Sequence, residues 1–270
     1  MGGDFQREVE VSPRLLDEHL KKSQILRKAF DLVWRDAEYS TMIEMSNVMA
    51  VKRLKYNDHG PVHAKIVAGS SLEIFDRIIE RGIIPTTISD GTTSSVEEAE
   101  LVVLFASLLH DIGNSVHRLN HEAIGAVLSK DILDRALASL FPNETRKRVM
   151  IRQEVMHAIY ATSFDVPALT IEAGCVKVAD GTDMSEGRAR MPYRMGKSDI
   201  HAISALSIEK VTISSSQEAP VVIGVYMKER AGVFQIEQVL GPKIKSSGLG
   251  ELIKVKALWG EGELPLDPLR

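Results

Sequence analysis

Cysteine is all but missing from this chain of 270 residues. Cys175 stands alone, so no disulfide can close within it, and a reducing compartment is expected. Long apolar runs are missing too. The run Leu101-Val-Val-Leu-Phe-Ala-Ser-Leu-Leu109 is far short of the ~18 residues that would span a bilayer, so it reads as a core helix rather than an anchor. The first eight residues, MGGDFQRE, hold no apolar segment of the secretory type, and cytoplasmic localisation is the expectation. There is no basic surplus. A formal charge of −4 argues against a generally cationic nucleic-acid binder, though it leaves room for a local basic groove. Internal repeats and low-complexity tracts are also lacking.

What is present is an ordinary share of apolar residues, 44%, enough for a sizeable core. The first two hundred residues read mainly as helices. Ser12-Pro13 is a helix start, and apolar residues from Leu15 to Val33 then recur near helical spacing. Further helices are predicted over Thr41–Tyr56 and Pro61–Arg81. The turn-rich stretch Thr86–Ser94 reads as a loop. Ser95 and Glu98 fit a capping box for the helix that holds the apolar run. Helices are also predicted over 119–140, 143–160 (capped by Asn143) and 167–182.

After about residue 205 the pattern changes. Val211–Ile213, Val221–Met227 and Leu252–Trp259 have strand character, with helical spacing over 233–244. The expected fold class is therefore mainly α: an all-helical domain over 1–205, followed by a small α+β unit, β-β-α-β, over 206–270.

His110-Asp111 closes the apolar run, with Gly113 just beyond. Adjacent side chains on a helix diverge by about 100°, so the pair does not serve a single packing purpose. Six of the eight histidines (59, 63, 110, 117, 121 and 157) lie within about a hundred residues of one another. His59 and His63 are four apart. They share a face if both are helical, and can face one cleft if His59 precedes the helix that Pro61 starts. Neutral imidazoles with ionised carboxylates suit borderline and hard divalent metals.

The ordered set His63, His110-Asp111, His121, His157 and Asp180 resembles the HD superfamily of metal-dependent phosphohydrolases, over roughly residues 40–190. The resemblance implies an all-helical domain in which His63, His110, Asp111 and Asp180 hold one divalent ion. In two-metal members His121 and His157 join, with Asp111 bridging. Gly125 fits the His-x-x-x-Gly pattern after His121. His117 competes for the His121 role, and His157 could instead be a packing residue. Asp183 reads either as a partner of a ligand imidazole or as the solvated end of its helix. The segment Asn57–His63 resembles that of cyclic-nucleotide phosphodiesterases, which implies that His59 is a proton donor to the leaving group, beside its alternative as a helix cap.

Arg118, Arg188, Arg190 and Lys197 are candidate phosphate contacts, since guanidinium forks match phosphate oxygens. For the last three the alternative is a charged loop balancing nearby carboxylates. The implied cofactors are one or two divalent ions, Mn²⁺, Fe²⁺ or Mg²⁺ before Zn²⁺. The implied substrate is a small phosphorylated compound, a nucleotide first, with RNA or oligonucleotides as the alternative and a nucleotide-sensing module without turnover as a third reading.

The closing segment Lys243–Lys256 weakly resembles the end of ribonuclease Y, which raises RNA as a substrate. Yet residues 206–270 carry eight basic and eight acidic residues, and no Gly-x-x-Gly phosphate loop is evident. The unit also suits dimerisation, with 252–259 as an edge strand that could pair across a two-fold in a homodimer.

Overall fold

The computed structural model describes residues 7–184, 200–260 and 262–266. It is mainly helical with one small sheet. In chain order there follow β1 (Val9–Glu10), α1 (Pro13–Lys22), α2 (Gln24–Trp34) and α3 (Ala37–Asn47). A π-helical turn, Val48–Arg53, runs on from α3. Next come α4 (Pro61–Glu80), α5 (Thr86–Ser89), α6 (Val96–Leu109), a 3-10 turn (Ile112–Ser115), α7 (His121–Leu140), α8 (Thr145–Tyr160) and α9 (Ile171–Thr182).

The apolar run makes α6 the central rod. Every residue from Leu101 to Leu109 is buried, and α2, α4, α8 and α9 pack around it. A helix that is apolar all round must be enclosed, and this one is. Ser95 Oγ accepts the Glu98 amide at 3.3 Å, as predicted for its cap, while Glu98 reaches back one residue further, to the Ser94 amide at 2.7 Å.

Several boundaries differ from the sequence reading. The first helical stretch is two helices, broken at Ser23, whose hydroxyl caps the second. The second predicted helix starts earlier, at Ala37, because Asp36 accepts the Glu38 and Tyr39 amides. The expected loop at Thr86–Ser94 contains the short helix α5. Helix α8 begins at Thr145, with Glu144 rather than Asn143 at the cap position. Helix α9 begins at Ile171, capped by Thr170.

The C-terminal elements are α10 (Ile200–Leu206), β2 (Ile208–Ser214), β3 (Val221–Met227), α11 (Val233–Gln235), a π-helical stretch (Ile236–Leu240), α12 (Gly241–Ser246), β4 (Ile253–Trp259) and β5 (Gly262–Leu264). The sheet order is β1-β2-β3-β4-β5. Strands β2 and β3 are antiparallel, and β3 and β4 are parallel from Val221↔Ile253 to Met227↔Trp259. The helical connection between β3 and β4 is what a parallel pair requires.

Two strands were not foreseen. Val9 and Glu10 pair with Ile213 and Thr212, so the N-terminal segment joins the sheet. Strand β5 covers Ala257–Trp259, so the far side of β4 is not a bare edge over those residues. Arg77 of α4 fastens the sheet to the helices, donating to Ser215 Oγ at 2.9 Å and to the Arg7 carbonyl at 2.7 Å.

Candidate metal centre

The end of α6 delivers the His-Asp pair. After His110 the chain tightens into the 3-10 turn, which brings Gly113 against the first turn of α7. A Cβ on Gly113 would lie 1.9 Å from the His121 carbonyl oxygen, and Gly125 faces Gly113 from the next turn. These two glycines let α7 approach closely enough to set His121 beside Asp111. Asn120, at φ 59°, turns the chain into α7 in the left-handed conformation that Asn tolerates better than most residues.

His63 lies in the first turn of α4 and His59 just ahead of it, in the pre-helical arrangement. Asp180 comes from the last turn of α9 and Asp183 from just beyond it. Four donor atoms from three helices converge. His63 Nε2 is 3.2 Å from His110 Nε2, 3.3 Å from Asp111 Oδ2 and 3.2 Å from Asp180 Oδ1. His110 Nε2 is 3.4 Å from Asp111 Oδ2 and 3.7 Å from Asp180 Oδ1.

The other ring nitrogens decide what this convergence means. His110 Nδ1 faces the Ser107 carbonyl at 2.8 Å, so it must donate. His63 Nδ1 faces Asp183 Oδ2 at 2.6 Å and donates there. In the neutral rings both Nε2 atoms therefore carry lone pairs, and these point at each other and at two carboxylate oxygens. Four electron-rich atoms in a buried space require positive charge between them. Separations of 3.2–3.7 Å suit ligands around an ion bonded at about 2.1 Å. The residues fit a divalent cation.

Without an ion, the two carboxylates favour a proton on the ring instead. Burial pulls His110 down, yet Asp111 and Asp180 outweigh it and lift the imidazole to about 9. Burial pushes Asp111 up, but His59 and His110 hold it well below the usual carboxylate range. Asp183, read from the sequence as either a partner or a solvated end, is a buried partner that orients His63.

Asp111 presents its second oxygen elsewhere. Oδ1 accepts Asn114 Nδ2 at 2.8 Å and lies 3.4 Å from His121 Nε2. His121 Nδ1 donates toward the Arg118 carbonyl and Glu122, so its Nε2 carries the lone pair, which Arg118 Nη1 meets at 2.9 Å. His157 is half-buried, and its Nε2 accepts the Leu169 amide at 3.2 Å. The ligands expected for a second ion are therefore already engaged by donors of the protein itself.

His59 Nδ1 lies 2.6 Å from Asp111 Oδ2. His59, Arg118, His121, Asp180 and Lys243 border a cleft of about 450 Å³. His117 accepts the Leu119 amide and has no place in that lining. Arg188, Arg190 and Lys197 lie outside the described residues. Sequence reasoning missed Asn114, one 3-10 turn after Asp111, and Glu122. It also missed the C-terminal wall, in which Gln235, Gln238, Val239 and Lys243 line the same cleft. The spacing Asp111-x-x-Asn114 was a usable signal for the first; nothing local marks Lys243.

The HD domain model matches residues 63–185, the interval from the first ligand histidine to just past Asp183. The chain belongs to the HD superfamily. HD domains are a family of metal-dependent phosphohydrolases, and the ordered His and Asp residues here form a cluster that could hold a metal. The chain is also 43% identical over 233 residues to the uncharacterized protein MJ1020 of Methanocaldococcus jannaschii, covering 86% of this chain and 89% of that protein. No solved structure matches it. No helix among the described residues is long and apolar enough to cross a membrane.

Proposed function

We propose that this HD protein hydrolyses a phosphate ester of a nucleotide, with one divalent ion held by His63, His110, Asp111 and Asp180. The observation that carries the reading is the meeting of two imidazole lone pairs and two carboxylate oxygens on the border of a cleft of about 450 Å³. That volume suits a mononucleotide-sized ligand. The mixed nitrogen and oxygen donor set favours Mn²⁺, Fe²⁺ or Mg²⁺ over Zn²⁺. When bound, such an ion polarises a phosphoryl oxygen and acidifies a water.

The chain's own residues supply the rest. Arg118, fixed between Asn114 and His121, places a permanent positive charge on the border of the cleft, and so helps to neutralise the phosphoryl group. His59 is held at Nδ1 by Asp111, which stabilises its protonated form and fixes the ring to deliver a proton to the leaving oxygen. Asp183 and the Ser107 carbonyl keep the two ligand histidines in the tautomer that binds a cation. Arg188, Arg190 and Lys197 complete the proposal as further phosphate contacts.

Metal-stripped protein reconstituted with Mn²⁺ is to be assayed on nucleoside monophosphates, cyclic nucleotides and a short RNA. Turnover of a mononucleotide is expected. His59→Gln is expected to lower kcat about a hundredfold with metal binding retained. Salt-sensitive shortening of the RNA alone would move the substrate to nucleic acid. Tight nucleotide binding with no ester cleaved would replace catalysis by sensing.

A further inference from the structure

The C-terminal unit reaches the metal centre through one side chain. Lys243 of α12 is buried, and its ammonium group donates to Asp180 Oδ2 at 2.7 Å and to the Thr162 carbonyl at 3.1 Å. It also stands 4.7 Å over the Phe164 ring. An ammonium has three N–H bonds, and here each has a partner: a carboxylate, a carbonyl and an aromatic face. Lys243 borders the cleft, but its donors are already engaged by the protein. Asp180 Oδ2, its main partner, is the oxygen that does not face the histidines; Oδ1 is the one at 3.2 Å from His63 Nε2.

Close approach of α9 and α12 makes this contact possible, and two glycines on α9 permit it. A Cβ on Gly181 would lie 3.1 Å from Lys243 Cδ and 3.3 Å from Leu240 Cδ1. Two turns earlier, a Cβ on Gly174 would lie 2.5 Å from the Ser247 carbonyl oxygen. The loop between α8 and α9 is clasped from both sides. Lys243 holds Thr162, the Ala168 amide donates to the Ser246 carbonyl, and fully buried Lys177 donates to the carbonyls of Ser163 and Val166.

We propose that Lys243 is a positioning residue for the metal ligand Asp180, so that the C-terminal unit sets the cation affinity of the HD site. By occupying Oδ2 it leaves Asp180 one oxygen to offer, already aimed at His63 and His110. The proposal rests on the ligand set assigned above but not on the nature of the substrate.

The test is Mn²⁺ binding to the full metal-stripped chain, followed by calorimetry and by the electron paramagnetic resonance of bound Mn²⁺. Lys243→Met keeps much of the stem and removes the ammonium. It is expected to weaken Mn²⁺ binding by ten- to a hundredfold, as loss of a group that orients a ligand commonly does, and to alter the Mn²⁺ spectrum. With saturating Mn²⁺, KM for the ester should stay within about twofold. Gly174→Ala retains Lys243 but pushes on the backbone that follows α12, and is expected to weaken Mn²⁺ in the same direction. Thermal unfolding of each metal-free variant separates this from loss of fold.

Unchanged or tighter Mn²⁺ binding in a folded Lys243→Met protein overturns the proposal, because removal of charge without loss of orientation would strengthen the site. A raised KM with unaltered Mn²⁺ affinity also overturns it and makes Lys243 a substrate contact. If the wild-type protein binds Mn²⁺ but cleaves no phosphate ester, the proposed function fails while this inference stands on its binding data.

Discussion

His19 of α1 and His63 of α4 are both buried imidazoles set among carboxylates, yet they are built for different purposes. His19 places Nε2 3.2 Å from Glu73 and Nδ1 3.3 Å from Asp76. Both nitrogens lie within ion-pair distance of carboxylates, which favours the imidazolium, although Nε2 makes no hydrogen bond of good geometry. His63 gives Nδ1 to Asp183 and turns its Nε2 lone pair toward a second imidazole and two carboxylates. The number of histidines and acids is similar in the two places. What separates a structural ion cluster from a metal centre is whether lone pairs are left to converge.

The largest expected effect breaks the comparison on the metal side. Asp111→Ala removes the oxygens that face both His63 and His121, and is expected to abolish stoichiometric Mn²⁺ binding in calorimetry. Ester hydrolysis should fall by a thousandfold or more, about 4 kcal/mol of barrier. Full activity in that variant would sink the assignment. His19→Gln should leave Mn²⁺ affinity unchanged, which is the matching control.

The next effect is on stability and is read at His19. Burial lowers its affinity for a proton, but Asp76 and Glu73 outweigh burial and push it up to about 9. A raised folded-state value means that the contribution is fully present below the ordinary value near 6.5 and is lost as pH rises through 9. Wild type should exceed His19→Gln in urea unfolding by about 3 kcal/mol at pH 6, with the gap closing by pH 10. A gap independent of pH would mean that His19 packs as a neutral ring.

The smallest effect sharpens the contrast at a single hydrogen bond. Asp183→Asn keeps the shape of the group behind His63 but weakens its hold on Nδ1. Mn²⁺ affinity is expected to drop about tenfold, at the lower end for such partners. An equal loss of metal-free stability would show that Asp183 serves the fold rather than the ligand.

Much of this was legible in the chain. The apolar run Leu101–Leu109 fixed α6 as the enclosed helix, because such a segment has no stable place outside a core. The order His63, His110-Asp111, Asp180 pointed to the family, whereas the close approach of α7 at Gly113 and Gly125 emerged only with the fold. His157 was legible only as a histidine of the right order; the Leu169 amide that takes its lone pair comes from a loop whose path no local pattern records. Lys243 was invisible for the same reason. It lies 63 residues from Asp180, in a unit whose composition is balanced, and its role depends on glycine-lined packing between two helices.

The sequence by itself determined the helical class, three strands of the closing unit and a set of candidate cation-holding residues, since periodicity and side-chain chemistry are local properties. Tertiary structure decided the rest: which nitrogen of each imidazole points inward, that Arg118 meets the His121 ring, and that the C-terminal unit walls the cleft. Those outcomes follow from the directions of lone pairs and N–H bonds after packing, and direction is what a linear pattern of residues does not contain.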